Sequence, residues 1–362
     1  MVENQTTKTS SFPPVSEGGN ASPQRVAVVV NGRAKSVNEE VISTLDRLMA
    51  GGDLFVSKSL SDAREIARLI IIRGYHTVLT GGGDGTFTVM VTEVVHEARR
   101  RQAPVPRFGM LKLGTGNALA WVVGTSTALG RRTDLQADVS RLMSDAGSRP
   151  IHLVEVEGWI APFCGVGVDA SMLGDYAKTR ALLNRTPLAP MASGLLSYGL
   201  AAITRTIPAS VFGPMPHIRV INRGVDAQRI GAKGMRLGAA YGPGDTIYEG
   251  PARVAAISTI PFYGFGFRVF PYANERPERM HLRISTITAG PFIRNFKAIW
   301  QGDYSSNEYL FDYLVEAVEI QVDPAIGLQV GGDYMGERTS VEAAITAEPI
   351  RLVDFYSPPS AS

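Results

Sequence analysis

The sequence predicts an α/β protein in two parts: a parallel β-sheet flanked by helices, then a β-rich, antiparallel and sandwich-like part. Three observations predict it. From Arg25 onward, short β-branched runs alternate with amphipathic stretches, the pattern of strand–helix–strand units. Two glycine-rich segments, 81–86 (GGGDGT) and 114–117 (GTGN), each fall where a strand runs into a helix. Past about Pro150 the alternation loosens into strand-like segments separated by Gly and Pro, which suits an antiparallel sheet or sandwich.

Each element follows from its residues. Positions 1–24 are rich in Ser, Thr, Pro, Gly and Asn and have too few apolar groups to offset the entropy of ordering, so they predict a disordered tail. The run 25–31 (RVAVVVN) is a buried strand, and 37–50 is a helix stopped by Gly51 and Gly52. A strand is expected at 54–57. Asp62 to Glu65 has the form of a capping box, and it opens a helix to Arg73 with Ile66, Leu69 and Ile70 on one face and Gly74 as its stop. The strand 77–80 enters the first glycine segment, a helix is expected over 87–101, and the strand 108–113 enters the second. Beyond Pro150, strands are expected at 151–157, 160–168, 218–221, 253–260, 280–287 and 317–322, with a helical stretch at 171–207 that holds an apolar run, 194–203. The division is therefore 1–24 tail, 25–150 first domain, 151–356 second domain with its last segment free to return to the first, and 357–362 a flexible end.

Composition excludes several classes. Lys and Arg number 36 against 34 Asp and Glu, a net charge of +2, so no global field recruits nucleic acid. The single cysteine, Cys164, excludes an intramolecular disulfide framework and any multi-cysteine metal site, and it reads as a small buried residue of a protein in a reducing, cytoplasmic compartment. No apolar run reaches the ~20 residues that span a bilayer, and the N-terminus has no signal-peptide core. Between Lys178 and Arg236, nine Lys or Arg stand against one acid, Asp226. That basic stretch, beside the apolar run, is either a solvated face or a surface for an anionic membrane at the inner face of the cell.

Closely packed backbone N–H groups beside a helix N-terminus suit phosphate, and glycine lets a ligand approach the backbone. Two such segments at the carboxyl edge of one parallel sheet point to a ligand there, the plain alternative being turn glycines without one. The dinucleotide fingerprint fails, because Leu119 stands where the third small residue is required. No P-loop, protein-kinase or zinc-protease motif occurs.

Five segments in order, Asn31, Gly82-Gly83-Asp84-Gly85-Thr86, Leu113-Gly114-Thr115-Gly116-Asn117, Gly165-Val166-Gly167-Val168-Asp169-Ala170 and Pro261-Phe262-Tyr263-Gly264-Phe265-Gly266, resemble the diacylglycerol kinase catalytic-domain family of diacylglycerol, sphingosine and ceramide kinases. NAD kinases and phosphofructokinases share loops similar to the GGDGT segment, and the G-T-G-N segment sets this chain apart from both. The resemblance implies a Rossmann-like N-terminal nucleotide domain, a C-terminal domain for a lipid substrate, ATP as co-substrate and Mg2+. It implies that Asn31, Gly82, Gly83, Gly85, Thr86, Gly114, Thr115, Gly116 and Asn117 surround the nucleotide and that Asp84 acts near the transferred phosphate. Asp169 is a candidate contact for the lipid head group, the plain alternative being a structural Asp in a glycine-rich turn.

The chain departs from the family pattern at acidic positions. Val89 replaces a Glu, with Glu93 a turn later, and Ala118 replaces an Asp, which brings the segment closer to the sphingosine and ceramide kinase branch. The late Asp-Gly-Glu motif corresponds to Gly331-Gly332-Asp333, so Asp84 or Asp333 is left to take the acceptor's proton. Three functions stand: a lipid kinase acting on diacylglycerol, ceramide or a sphingoid base; a nucleotide- or lipid-binding descendant with weakened catalysis; and an NAD-kinase-like enzyme with a soluble acceptor. Asp84→Asn separates the first two, and phosphate transfer to a panel of diacylglycerol, ceramide, sphingosine and NAD separates the third.

Overall fold

The computed structural model describes residues 25–34, 37, 39–48, 53–113, 117–124, 139, 147–168, 170, 215–264, 266–273 and 275–355. The expected tail, the 171–207 helical stretch with its apolar run, and the end at 357–362 lie outside the described residues.

In chain order the first part comprises β1 (Val26–Asn31), α1 (Glu39–Leu48), β2 (Leu54–Ser57), α2 (Leu60–Ile72), β3 (Thr77–Gly82), α3 (Asp84–Arg101), β4 (Arg107–Lys112), α4 (Ala118–Val123) and β5 (Ser148–Ile151). The second part begins with β6 (Val154–Val156), β7 (Trp159–Ala161), β8 (Phe163–Gly167), β9 (His217–Asn222), β10 (Gln228–Ile230), β11 (Thr246–Pro251), β12 (Val254–Ser258) and β13 (Met280–Ser285). It ends with two short helices, α5 (Ala289–Arg294) and α6 (Phe296–Gln301), then β14 (Leu310–Val315), β15 (Ala317–Val330) and β16 (Asp333–Ile345). β17 (Ile350–Val353) closes the described chain.

The first sheet has the order β2-β1-β3-β4-β17-β5, parallel from β2 to β17, with β5 antiparallel at the edge. Its central strands are buried along their length, as in a sheet covered on both faces, and this explains the continuous Val-rich run in β1. The chain comes back through β17 to complete this sheet between β4 and β5. The second sheet has eleven antiparallel strands in three arms that meet on the 14-residue β15, through β8, β9 and β16. The sequence thus reads correctly as a parallel α/β part followed by an antiparallel β-rich part.

Several boundaries differ from expectation for local reasons. α2 begins at Leu60 rather than at Asp62, because Ser59, extended at φ −148°, is its cap: Ser59 Oγ accepts the Asp62 N–H at 3.1 Å, and Asp62 Oδ2 accepts the Lys58 N–H at 2.8 Å. α3 begins at Asp84 rather than at Phe87, so Asp84, Gly85 and Thr86 form its first turn instead of a loop. The stretch 151–168 breaks into four strands, with Glu157 and Gly158 both in the left-handed region at the β6–β7 turn. At its far end α3 carries Arg99, Arg100 and Arg101 as a helix-end cluster; Arg100 and Arg101 pair with Glu97, and Arg99 meets Glu155 at 3.1 Å.

α3 is the element that binds the two sheets together. Phe87, Met90, Val91, Val94 and Val95 are buried in the same apolar core as Phe108 and Leu111 of the first sheet and Ile160 and Phe163 of the second. Thr92 adds a polar tie: its Oγ1 accepts the Ile160 N–H at 2.9 Å and donates to the Ile160 carbonyl at 3.3 Å, all of it buried. Thr92→Val keeps the shape and strands both backbone groups, so it is expected to cost about 2–4 kcal/mol in urea unfolding. An unchanged midpoint would mean that this tie does not hold the sheets together.

Candidate active site

The carboxyl ends of β1 and β3, the start of α3, the start of α4 and the β15–β16 turn converge. β3 runs two residues further than its apolar pattern, with Gly81 opposite Leu111 and Gly82 opposite Lys112 of β4. Gly83, extended at φ −100°, is then the only residue between strand and helix. A Cβ on Gly82 would overlap the Thr86 side chain, and one on Gly85 would overlap the Asp333 carboxylate. Those two glycines therefore admit neighbouring side chains, one from within the turn and one from the second sheet.

The first turn of α3 leaves the N–H groups of Asp84, Gly85 and Thr86 without helical acceptors, and the Phe87 N–H closes the first bond onto Gly83 at 3.1 Å. An 18-residue helix with its positive end at this edge is a place for an anion. Asn31 links β1 to it: Nδ2 donates to Thr86 Oγ1 at 3.2 Å, and Oδ1 accepts the Arg33 N–H at 2.9 Å.

Asp84 is buried and turned toward the next helix. Its Oδ2 accepts the Ala118 N–H at 2.7 Å and its Oδ1 the Leu119 N–H at 3.3 Å, so it caps α4 from across the cleft. The residue at the cap position itself, Asn117, is fully buried in the left-handed conformation and makes no cap bond with its side chain. Burial pushes the Asp84 carboxyl up to about 6; the two amide bonds oppose the rise and the Asp333 charge adds to it. Asp333 keeps solvent access at the mouth, and partial loss of water beside Gly85 raises its carboxyl as well.

Asp333 is delivered by a two-residue hairpin turn. Gly331 and Gly332 have φ of +57° and +87°, values that glycine takes readily and that suit the twist of a tight hairpin. The Gly331 N–H donates to the Phe163 carbonyl at 2.9 Å and the Gly332 N–H to Gln329 Oε1 at 3.0 Å. Gln329 Nε2 donates in turn to the Tyr263 hydroxyl at 2.6 Å, which ties the Pro261–Gly266 motif to this turn.

Of the residues expected at the site, the structure brings together Asn31, Gly82, Gly83, Asp84, Gly85, Thr86, Asn117 and Asp333. Gly114, Thr115, Gly116 and Asp169 lie outside the described residues. Glu93 faces away and pairs with Arg64 of α2 at 3.3 Å. Sequence reasoning missed Thr88, whose buried Oγ1 has no hydrogen-bond partner and occupies the space a Cβ on Gly331 would need. The signal was there: Thr88 is one helical turn after Asp84 and so lies on the same face. Among the described cations of the basic stretch, Arg219 meets Glu249 at 3.7 Å, Arg223 Nε donates to Glu319 at 3.1 Å, and Arg229 lies over the Phe311 ring. Three of the five described cations of that stretch are thus held by partners within the second sheet.

Fold and site together define a two-part α/β protein with an anion-suited helix start between two carboxylates. Residues 25–156 match the family model of the diacylglycerol kinase catalytic domain, the family the motifs resemble. A "Probable lipid kinase YegS-like" of Pseudomonas aeruginosa PAO1 is 32% identical over 137 residues, 37% of this chain and 41% of that protein. One of the same description from Xanthomonas euvesicatoria pv. vesicatoria is 26% identical over 193 residues, 52% of this chain and 59% of that protein. The matched part thus spans about two fifths to three fifths of these curated relatives. The crystal structure of a diacylglycerol kinase from Bacillus anthracis str. Sterne superimposes with a TM-score of 0.57 over 91% of this chain and 97% of that one; at 14% identity this shows the shared fold.

Proposed function

We propose that the protein transfers the γ-phosphate of ATP to a hydroxyl of a membrane lipid, namely diacylglycerol, ceramide or a sphingoid base. The observation that carries this reading is that Asp333, at the start of β16, comes up to Asp84 and Gly85 at the N-terminus of α3, which lies within the segment that matches the kinase model. In the transfer the acceptor oxygen bonds to phosphorus, the bond from phosphorus to the ADP oxygen breaks, and the hydroxyl proton passes to a carboxylate. Asp84 has both oxygens engaged with α4 amides, whereas Asp333 keeps solvent access, so Asp333 is placed to take the proton and Asp84 to hold the nucleotide segment in position. The open carboxylate of Asp333 also fits the donor set of Mg2+, which binds through one or two carboxylates plus substrate phosphates. When bound, Mg2+ would neutralise phosphate charge.

The engaged oxygens of Asp84 favour one second reading, a nucleotide-binding protein with little turnover. Labelled phosphate transfer from Mg-ATP to a micellar panel of diacylglycerol, ceramide, sphingosine and NAD tests both. A labelled lipid is expected, with the rate in Asp333→Asn lower by about 10²-fold or more. Labelling of NAD alone would replace the lipid by a soluble acceptor. ATP binding without product on any acceptor would establish the second reading.

A further inference from the structure

We infer that the α5–α6 segment, 289–301, is the surface by which the protein docks on an anionic lipid bilayer. Ile293 is 73% exposed and Phe296 46%, two large apolar side chains three residues apart. The segment AGPFIRNFKAIWQ carries Arg294 and Lys297 and no acid. Exposed apolar groups interleaved with cations that form no ion pair among the described residues fit a surface that is hydrocarbon below and negatively charged above, and they fit a protein groove or water less well.

The segment is anchored by aromatic contacts. Phe292 meets Phe296 edge-on, Phe296 packs on Trp300, and Trp300 stacks on Phe267 with the planes 5° apart and the centroids 4.9 Å apart. The Arg268 N–H donates to the Trp300 carbonyl at 3.0 Å, which fixes the segment to the residues following the Pro261–Gly266 motif, and the Tyr263 N–H donates to the Phe267 carbonyl at 2.9 Å. That motif packs on Trp121 of α4: Phe262 and Trp121 rings lie 6.1 Å apart, and Gly266 backs onto the indole. α4 is the helix whose start Asp84 holds. A bilayer under Ile293 and Phe296 is therefore connected, through these rings and the backbone bonds between them, to the nucleotide side of the cleft. Trp and Tyr or Phe beside Arg and Lys is the composition of membrane-interface segments in general. Among the described residues no helix is long and apolar enough to cross a membrane, so docking at the surface is the mode these residues support.

This inference rests on the lipid-acceptor reading for its purpose and on the α5–α6 segment alone for its test. The full chain is floated with phosphatidylcholine vesicles, with and without phosphatidylglycerol, without ATP or acceptor and at rising salt. Wild type is expected to float with the anionic vesicles at low salt. Arg294→Gln with Lys297→Gln is expected to weaken that binding about 30-fold and to flatten its salt dependence. Ile293→Ser is expected to weaken it about 10-fold, and its thermal transition should match wild type because Ile293 is 73% exposed and takes no part in the ring contacts. Equal flotation of all three proteins, no flotation of wild type, or an Ile293 variant that alters only self-association would each overturn the docking surface. The kinase reading fails separately: flotation that depends on this segment without phosphorylation of any lipid leaves the surface standing, and phosphorylation of dispersed lipid without flotation leaves the kinase standing.

Discussion

Asp84→Asn is expected to lower phosphoryl transfer by about 10²-fold while ATP still binds, the scale of loss when a positioning group lets the reacting groups drift by about 1 Å. Both carboxylate oxygens of Asp84 accept amide hydrogens at the start of α4. Asparagine keeps one acceptor and turns an N–H₂ toward the other amide, so one bond becomes a donor facing a donor. The start of α4, with Asn117 in its left-handed conformation and Trp121 one turn on, then loses its anchor on α3. Transfer at the wild-type rate in this variant would remove Asp84 from the site.

The same residue gives the fold a pH dependence that can be measured without substrate. Its carboxyl is raised from 3.8 to about 6 by burial, so the folded chain holds the proton more tightly than the unfolded chain. Its contribution to stability is then fully present below about pH 4 and is lost as pH rises through 6, an effect of about 3 kcal/mol. Asp312, held low by Arg283 and His281 against its burial, acts in the opposite sense at lower pH. The difference between wild type and Asp84→Asn isolates the first effect, since asparagine stays neutral. Urea unfolding from pH 4 to 7 should show the two curves diverging; parallel curves would mean that Asp84 titrates at its ordinary value.

The parallel sheet and its glycine turns were legible because their signals are local: β-branched runs buried on both faces, glycines at strand ends, and helix stops. The site was legible where a single segment carried it, as at Gly82–Thr86. What escaped depends on pairing across long separations. β15 and β16 form a long hairpin whose register alone brings Asp333 to Gly85, 248 positions earlier in the chain. β17 finds its place between β4 and β5 for the same reason. The capping box was misplaced by one turn because Asp62 serves two roles, its N–H bonding Ser59 and its carboxylate bonding the Lys58 N–H. The segment of α5 and α6 gave no periodic signal, since each helix is six residues long.

The largest expected effect on stability comes from position 331. Gly331 has φ +57°, where a Cβ costs about 1–2 kcal/mol, and that Cβ would overlap Thr88 Oγ1 inside a packed interface. Overpacking adds about 1–3 kcal/mol, so Gly331→Ala is expected to destabilise by about 2–5 kcal/mol in urea unfolding. Thr88→Ala removes the obstructing hydroxyl, which has no hydrogen-bond partner to lose, and is expected to be the milder change. If the hydroxyl is the obstruction, the double variant should be less destabilised than the sum of the two by about 1–3 kcal/mol. Glycine at 331 and threonine at 88 are then one packing unit: a side chain at 331, acidic or not, requires residue 88 to shrink, and the carboxylate of this turn comes from Asp333 instead. Costs that add to within about 0.5 kcal/mol would assign the need for glycine to the left-handed backbone alone and leave Thr88 without a part in it.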